Sequence, residues 1–369
     1  MFVFQCARCD AELTSPLTEV ALPVHAHQIY GNGAQLPVLM EAGTFAVDPE
    51  PSGPPWRMGD EVDPGEAAAR GLYAPVLSLS MGAPGAVVIA PGDVRGTRLV
   101  PERSGGACCG LDGRDGPNAA CLACGLPVAT RLDDCSLWQA VWLVPTAVRR
   151  VRVDGAADAP LAWDEVVRAA NSTPPMEPIG TWGGMRNGTG HCWAWSPQWQ
   201  AAAGKALAHL LAASAGRPVT VPGGLTADVF QRALDVMLPA GGPSRRAVLA
   251  GPGRPAPDAG ADILLVPTHP QTGLTWTPPD PTAAPHLVPL PLGIWLWLTS
   301  PRPNLPIPAS GGLPGGLLRD DPLPPRPNCL FHADPRTFQD TVARLPAARG
   351  RWLREILQKL PEYTSRGLF

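Results

Sequence analysis

A chain of 369 residues with 45% hydrophobic content carries apolar material for more than one core, and its length suggests two domains. A formal net charge of −3 excludes a generally basic surface of the kind that meets nucleic acid or an anionic membrane. The 40 glycines and 47 prolines stay just under the ~25–30% share at which disorder becomes the default, which implies a folded protein with long, stiff loops.

Residues 1–150 read as mostly strand and loop. Strand candidates fall at 1–5, 86–90 (AVVIA), 97–100, 128–132 and 139–144, joined by turn chemistry such as residues 48–55 and Pro91-Gly92-Asp93. The opening residues lack a basic region followed by a long apolar stretch, so no signal peptide is expected. Further on, the spacing predicts helices at 163–170, at 197–215 and at 227–238. Ser196, Pro197 and Gly216 supply the start and stop of the second, and Thr226 caps the third. Apolar runs at 247–250, 263–266 and 294–299 read as strands. Asp334 caps a helix opened by Pro335, and 349–360 is an amphipathic docking helix. Residues 300–328 form a Pro/Gly-rich connector. The longest apolar run, 287–298, is far short of the ~20 residues that cross a bilayer and contains Pro289 and Pro291. The expectation is a soluble, cytoplasmic chain.

Most of the nine cysteines lie in the first 150 residues, and two pairs stand out: Cys6-Ala-Arg-Cys9 and Cys121-Leu-Ala-Cys124. Two residues between thiols let one tight turn aim both sulfurs at a single metal, and the N–H groups of that turn stabilise the thiolates. Each pair precedes a small or turn-forming residue, Asp10 or Gly125, and then a β-prone segment. In these features the chain resembles a zinc ribbon, over the two knuckles and their flanking strands only. The resemblance implies a closed, structural Zn2+ site on Cys6, Cys9, Cys121 and Cys124. Unlike a usual ribbon, the knuckles are separated by residues 10–120. A local alternative uses Cys108 or Cys109 with Cys121, Cys124 and Cys135; adjacent thiols are not expected to serve one ion together. A further alternative is two ions. His25 and His27 beside Pro23 read as surface or turn residues rather than ligands. Disulfides are disfavoured by the expected compartment. A redox role is disfavoured because neither CxxC opens a helix.

The fold class that follows is α+β: a zinc-stabilised, mostly-β domain over residues 1–150, then a mixed α/β domain over residues 155–369. Three functional readings stand side by side. The first is a zinc-binding protein of binding or interaction type, with a protein or small-molecule partner and no membrane. The second is an enzyme, with its site near His269, which ends a strand where α/β sheets place ligand residues, or at His191-Cys192 in a glycine-rich stretch. The third, less favoured, is a nucleic-acid-binding accessory factor. No phosphate-cradling loop is present, since neither lysine lies in a glycine-rich turn. Asp133-Asp134 and Asp320-Asp321 read as solvated pairs.

Overall fold

The computed structural model describes residues 1–31, 35–104, 108–153, 159–178, 193–257, 260–279, 285–300 and 330–369. His191, Cys192, Asp320, Asp321, Cys329 and nearly all of the 300–328 connector lie outside them.

The first part of the chain forms strands β1 (Phe2–Cys6), β2 (Thr18–Glu19), β3 (Thr44–Val47), β4 (Trp56–Met58), β5 (Ser78–Ser80), β6 (Val87–Ile89), β7 (Thr97–Leu99), β8 (Ala119–Cys121), β9 (Pro127–Leu132), β10 (Ala140–Leu143) and β11 (Val148–Arg152), with one short helix, α1 (Pro64–Ala69). Seven of these strands make one sheet in the order β2-β3-β6-β10-β9-β8-β7. Only β2 and β3 run parallel within it. Both faces are covered, which is why β6 reads as a continuous apolar run. Val87 and Ile89 join Phe4, Leu13, Leu17 and Phe45 on one face, while Val88 joins Leu36, Met40 and Trp138 on the other. Strand β1 lies apart and pairs antiparallel with β11, so Cys6 faces Val148.

The second part holds β12 (Met176–Pro178) and β13 (Trp193–Trp195), which pair with each other, and a parallel sheet of β14 (Val219–Thr220), β15 (Arg245–Leu249), β16 (Ile263–Thr268) and β17 (His286–Pro291) in sequence order. Its helices are α2 (Trp163–Ala169), α3 (Pro197–Ser214), α4 (Leu225–Met237), α5 (Leu292–Thr299), α6 (Pro335–Arg344), α7 (Arg351–Gln358) and α8 (Leu360–Ser365). Helix α3 is the hub. It is buried on nearly every side, as its even apolar composition requires, and ends where Ala215 turns left-handed at φ 51°. At Gly204 a Cβ would sit 2.6 Å from the Asp334 carbonyl, so glycine is what allows the start of α6 to cross so closely. Asp334 caps α6 as expected, accepting the Thr337 N–H at 2.6 Å.

Three elements differ from the sequence expectation. Residues 294–299 are helical, not extended: Pro291 sets the start of α5, and an unbroken apolar run has no period to separate helix from strand. The strand lies just before it in β17, which tolerates Pro289 and Pro291 because it is bonded on one side only. Helix α4 starts two residues earlier than predicted, after Gly224 at φ 73°, and Thr226 is buried inside it rather than capping it. The last predicted helix is divided at Gly350 and Lys359 into a 3-10 turn (Pro346–Arg349), α7 and α8.

Strands and helices thus both build the molecule, in keeping with an α+β class. No helix among the described residues is long and apolar enough to cross a membrane. The two parts touch through apolar packing, with Val62, Leu72 and Leu79 grouped with Ala343, and through polar contacts. Gln28 Nε2 donates to the Pro197 carbonyl at 3.0 Å, Arg344 pairs with Glu50, and the Ala21 N–H meets the Pro270 carbonyl at 2.9 Å.

Candidate metal centres and the adjoining cleft

Each CxxC pair lies at the tip of a β-hairpin, and the two tips are built alike. In the first, the Cys6 N–H donates to the Ala11 carbonyl at 2.9 Å and the Asp10 N–H returns to the Cys6 carbonyl at 3.0 Å. In the second, the Cys121 N–H donates to Leu126 at 2.8 Å and the Gly125 N–H to Cys121 at 2.8 Å. Both turns close through a left-handed residue: Asp10 at φ 61° and Gly125 at φ 74°. Aspartate is one of the few non-glycine residues that accepts this conformation.

The turns face each other across the 112 positions that separate Cys9 from Cys121. Cys9 Sγ lies 3.6 Å from Cys121 Sγ, and Cys6 Sγ lies 3.6 Å from Cys124 Sγ. All four sulfurs fall within 4.8 Å of one another. Thiolates on a tetrahedral ion with ~2.3 Å bonds sit ~3.8 Å apart, whereas a disulfide needs ~2.05 Å. The spacing therefore suits a shared cation and excludes bonded cystine. Cys6 and Cys121 are fully buried, Cys124 is half-buried and Cys9 is exposed. Burial pushes the Cys6 thiol up, but the N–H groups of Arg8 and Cys9 and the neighbouring thiols outweigh it and bring it down to about 7. At Cys9 the Ala11 N–H favours the thiolate, yet desolvation and the three other sulfurs push the group up to about 12. A cation between the sulfurs would relieve the repulsion that pushes the Cys9 thiol up.

The remaining cysteines of this region do not substitute into that set. Cys108, Cys109 and Cys135 gather with Asp134 into a second cluster whose ligand atoms also lie within 4.8 Å of one another. Two Cys-rich sites could thus hold a metal ion. Adjacent Cys108 and Cys109 do converge, against the sequence expectation. The reason is Asp134, which is buried rather than solvated. Its Oδ1 accepts the Cys109 N–H at 2.9 Å and the Cys135 N–H at 2.8 Å, and lies 3.1 Å from Cys109 Sγ. Burial raises the Asp134 pKa, but these bonds more than compensate and hold it below the usual range. The same carboxylate pushes Cys109 up to about 12.

A cleft of about 1950 Å³ runs beside this second cluster, between the seven-stranded sheet and helices α3 and α6. Trp142, His27 and Asp48 line one wall, and Lys205, His209 and Asp340 the other. The half-exposed His27 ring stacks on Trp142 at 5.2 Å, and its Nε2 meets the buried Asp48 Oδ2 at 2.8 Å. Burial pushes the Asp340 carboxyl up against the pull of Arg336, Arg344 and His27, and it pushes the Lys205 ammonium down. Sequence reasoning read His27 as a surface or turn residue and missed its pairing with Asp48, which no local pattern connects. Lys205 and His209 were not singled out either, although their spacing of four residues places them on one face of α3.

Of the residues singled out for enzyme chemistry, His269 is engaged by the fold. It is 4% exposed, with Nε2 3.0 Å from the Leu161 carbonyl and Nδ1 accepting from the Gln271 and Thr272 N–H groups at 3.2 and 3.3 Å. Among the described residues, neither nitrogen has a hydrogen bond to a titratable side chain. His191 and Cys192 lie outside the described residues.

His25, expected at the surface, is buried against Trp138 at 4.4 Å, and desolvation lowers its pKa to about 4. An unfolded imidazole titrates near ~6.5, so between pH 6.5 and 4 the unfolded state takes up a proton that the folded state refuses. Stability should fall as pH drops through that window, by ~1.4 kcal/mol per unit. Denaturant titrations at pH 7 and pH 5 should show His25→Phe losing about 2 kcal/mol less than wild type between the two. Equal losses in both proteins would refute the assignment.

No protein-family model matches the chain, and no curated protein and no solved structure matches it.

Proposed function

We propose that Cys6, Cys9, Cys121 and Cys124 hold one structural zinc ion, and that the chain is a zinc-stabilised binding protein whose cleft receives its partner. The two like-built turns carry this reading, because they bring four sulfurs to tetrahedral spacing from opposite ends of a long segment. Four thiolates leave no coordination position open, which fits a structural rather than a catalytic ion. On this reading the ion resembles that of a zinc ribbon whose long insertion carries much of the seven-stranded sheet, and it organises a first domain near residues 1–150.

The cleft supports the binding half of the proposal. Small-molecule sites usually enclose roughly 300–1,000 Å³, and this one is larger and carries charges of both signs. It suits an extended partner that presents both apolar and charged groups. A specific observation favours enzyme chemistry as a second reading: His27, held by buried Asp48 and facing the cleft, has the arrangement of an oriented imidazole base. The nucleic-acid reading gains less. Arg149 and Arg150, on β11 beside the first knuckle, are paired with Asp10 and Glu19.

Elemental analysis of protein purified without chelators tests the metal. Zinc is expected, and its X-ray absorption should give four sulfurs at ~2.3 Å in a Cys135→Ser background, where the second cluster is disabled. Iron in place of zinc, or a first shell with fewer sulfurs, would count against the reading.

A further inference from the structure

The two cysteine clusters differ in one respect that bears on chemistry. None of Cys6, Cys9, Cys121 and Cys124 lines the cleft, whereas Cys108, Asp134 and Cys135 all do. The geometry points to a second, open metal site. Cys108, Cys109 and Cys135 bind a thiophilic divalent cation of the zinc type through three thiolates, and the fourth position faces the cleft.

Three observations carry this. First, the sulfurs arrive from two segments, the bend at Cys108–Gly110 and the turn at Asp134–Ser136, and all ligand atoms lie within 4.8 Å of one another. Second, the two segments are locked together before any ion arrives. The Leu111 and Asp133 backbones exchange hydrogen bonds at 3.2 and 2.9 Å, and Gly110 packs so tightly that a Cβ would fall 1.8 Å from the Asp133 carbonyl. Third, Asp134 Oδ1 is already committed to the Cys109 and Cys135 N–H groups. Asp134 therefore orients the thiolates rather than completing the shell.

Three protein ligands with a vacancy towards a cavity is the pattern of zinc sites that take an exogenous donor, in contrast to closed four-ligand sites. Three soft sulfurs select zinc-like ions over magnesium or calcium. Binding releases the thiol protons and leaves a position for water, or for a nitrogen, oxygen or sulfur donor carried by whatever occupies the cleft. This site shares no residue with the four-sulfur cluster, so the two stand or fall separately.

Metal stoichiometry distinguishes them. Wild-type protein should carry two equivalents of zinc, and both Cys135→Ser and Cys109→Ser should carry one. Cys109 is exposed, so its variant tests the site even where replacing buried Cys135 harms folding. Two equivalents retained in Cys109→Ser, or a wild-type content that neither variant lowers, would overturn the site. So would a disulfide between any two of Cys108, Cys109 and Cys135 in metal-free protein prepared without oxidant. A single wild-type equivalent lost in Cys109→Ser would support this site and sink the four-sulfur one.

The open position has its own readout. After replacement of zinc by Co2+, added imidazole should shift the visible bands of wild type and leave those of Cys109→Ser unmoved. Identical spectra with and without imidazole in wild type would show that the shell is closed.

Discussion

Replacing Cys121 with serine is expected to release the ion of the four-sulfur site and unfold the first part of the chain. The apparent binding free energy of a structural zinc is ~10–16 kcal/mol, comparable with the entire ~5–15 kcal/mol stability of a typical domain. On the proposed reading the ion would also act as a cross-link. Cys6 and Cys124 are 118 positions apart, and a covalent closure of about 100 residues restrains the unfolded chain by ~4.7 kcal/mol on the chain-entropy account. Strand β1 depends on that link, because it is bonded to β11 and not to the seven-stranded sheet. Zinc content and far-ultraviolet circular dichroism before and after chelation measure the effect. A Cys121→Ser protein with full zinc and an unchanged melting curve would rule out this ligand set.

The second large effect belongs to the other part of the molecule. Trp199 is 1% exposed, sits on α3, and donates its indole N–H to the Thr173 carbonyl at 3.0 Å. Trp199→Ala removes one of the largest side chains of that core and leaves a void that neighbouring helices, held by the Gly204 crossing, do not readily close. A buried Trp→Ala change costs ~3–5 kcal/mol. For a unit of this size that corresponds to roughly 6–20 °C in Tm. Trp199→Phe should lose clearly less, since it keeps most of the volume and forfeits the hydrogen bond to Thr173. A Trp199→Ala protein within about 1 kcal/mol of wild type would mean that this corner of the core is already loosely packed. Because Trp199 belongs to a core cluster that contains none of the cysteines of either candidate site, zinc content should not follow it.

The local signals in the sequence were strong where one short segment carries all the information. Two residues between thiols, followed by Asp10 or Gly125, specify a turn whatever surrounds it, and both turns form as that spacing implies. The same holds for helix α3, whose Pro197 and Gly216 fix its ends, and for α6, which Asp334 caps. Apolar periodicity failed where it was absent. The run from Leu287 to Leu298 is apolar throughout, and only its packing divides it into an edge strand and a helix with Trp295 against the Ala250 carbonyl.

The sequence by itself therefore determined the turns, the caps and which cysteines come in pairs, because these follow from neighbours a few residues apart. Only the tertiary structure decided which pairs share a centre. Cys6 meets Cys124 rather than Cys108 because strand pairing sets hairpin positions over more than a hundred residues. The cleft, its His27–Asp48 pair and the gathering of Cys108, Cys109 and Cys135 around buried Asp134 belong to the same class. Each joins side chains from separate segments, and burial, the force that assembles them, is a property of the whole fold.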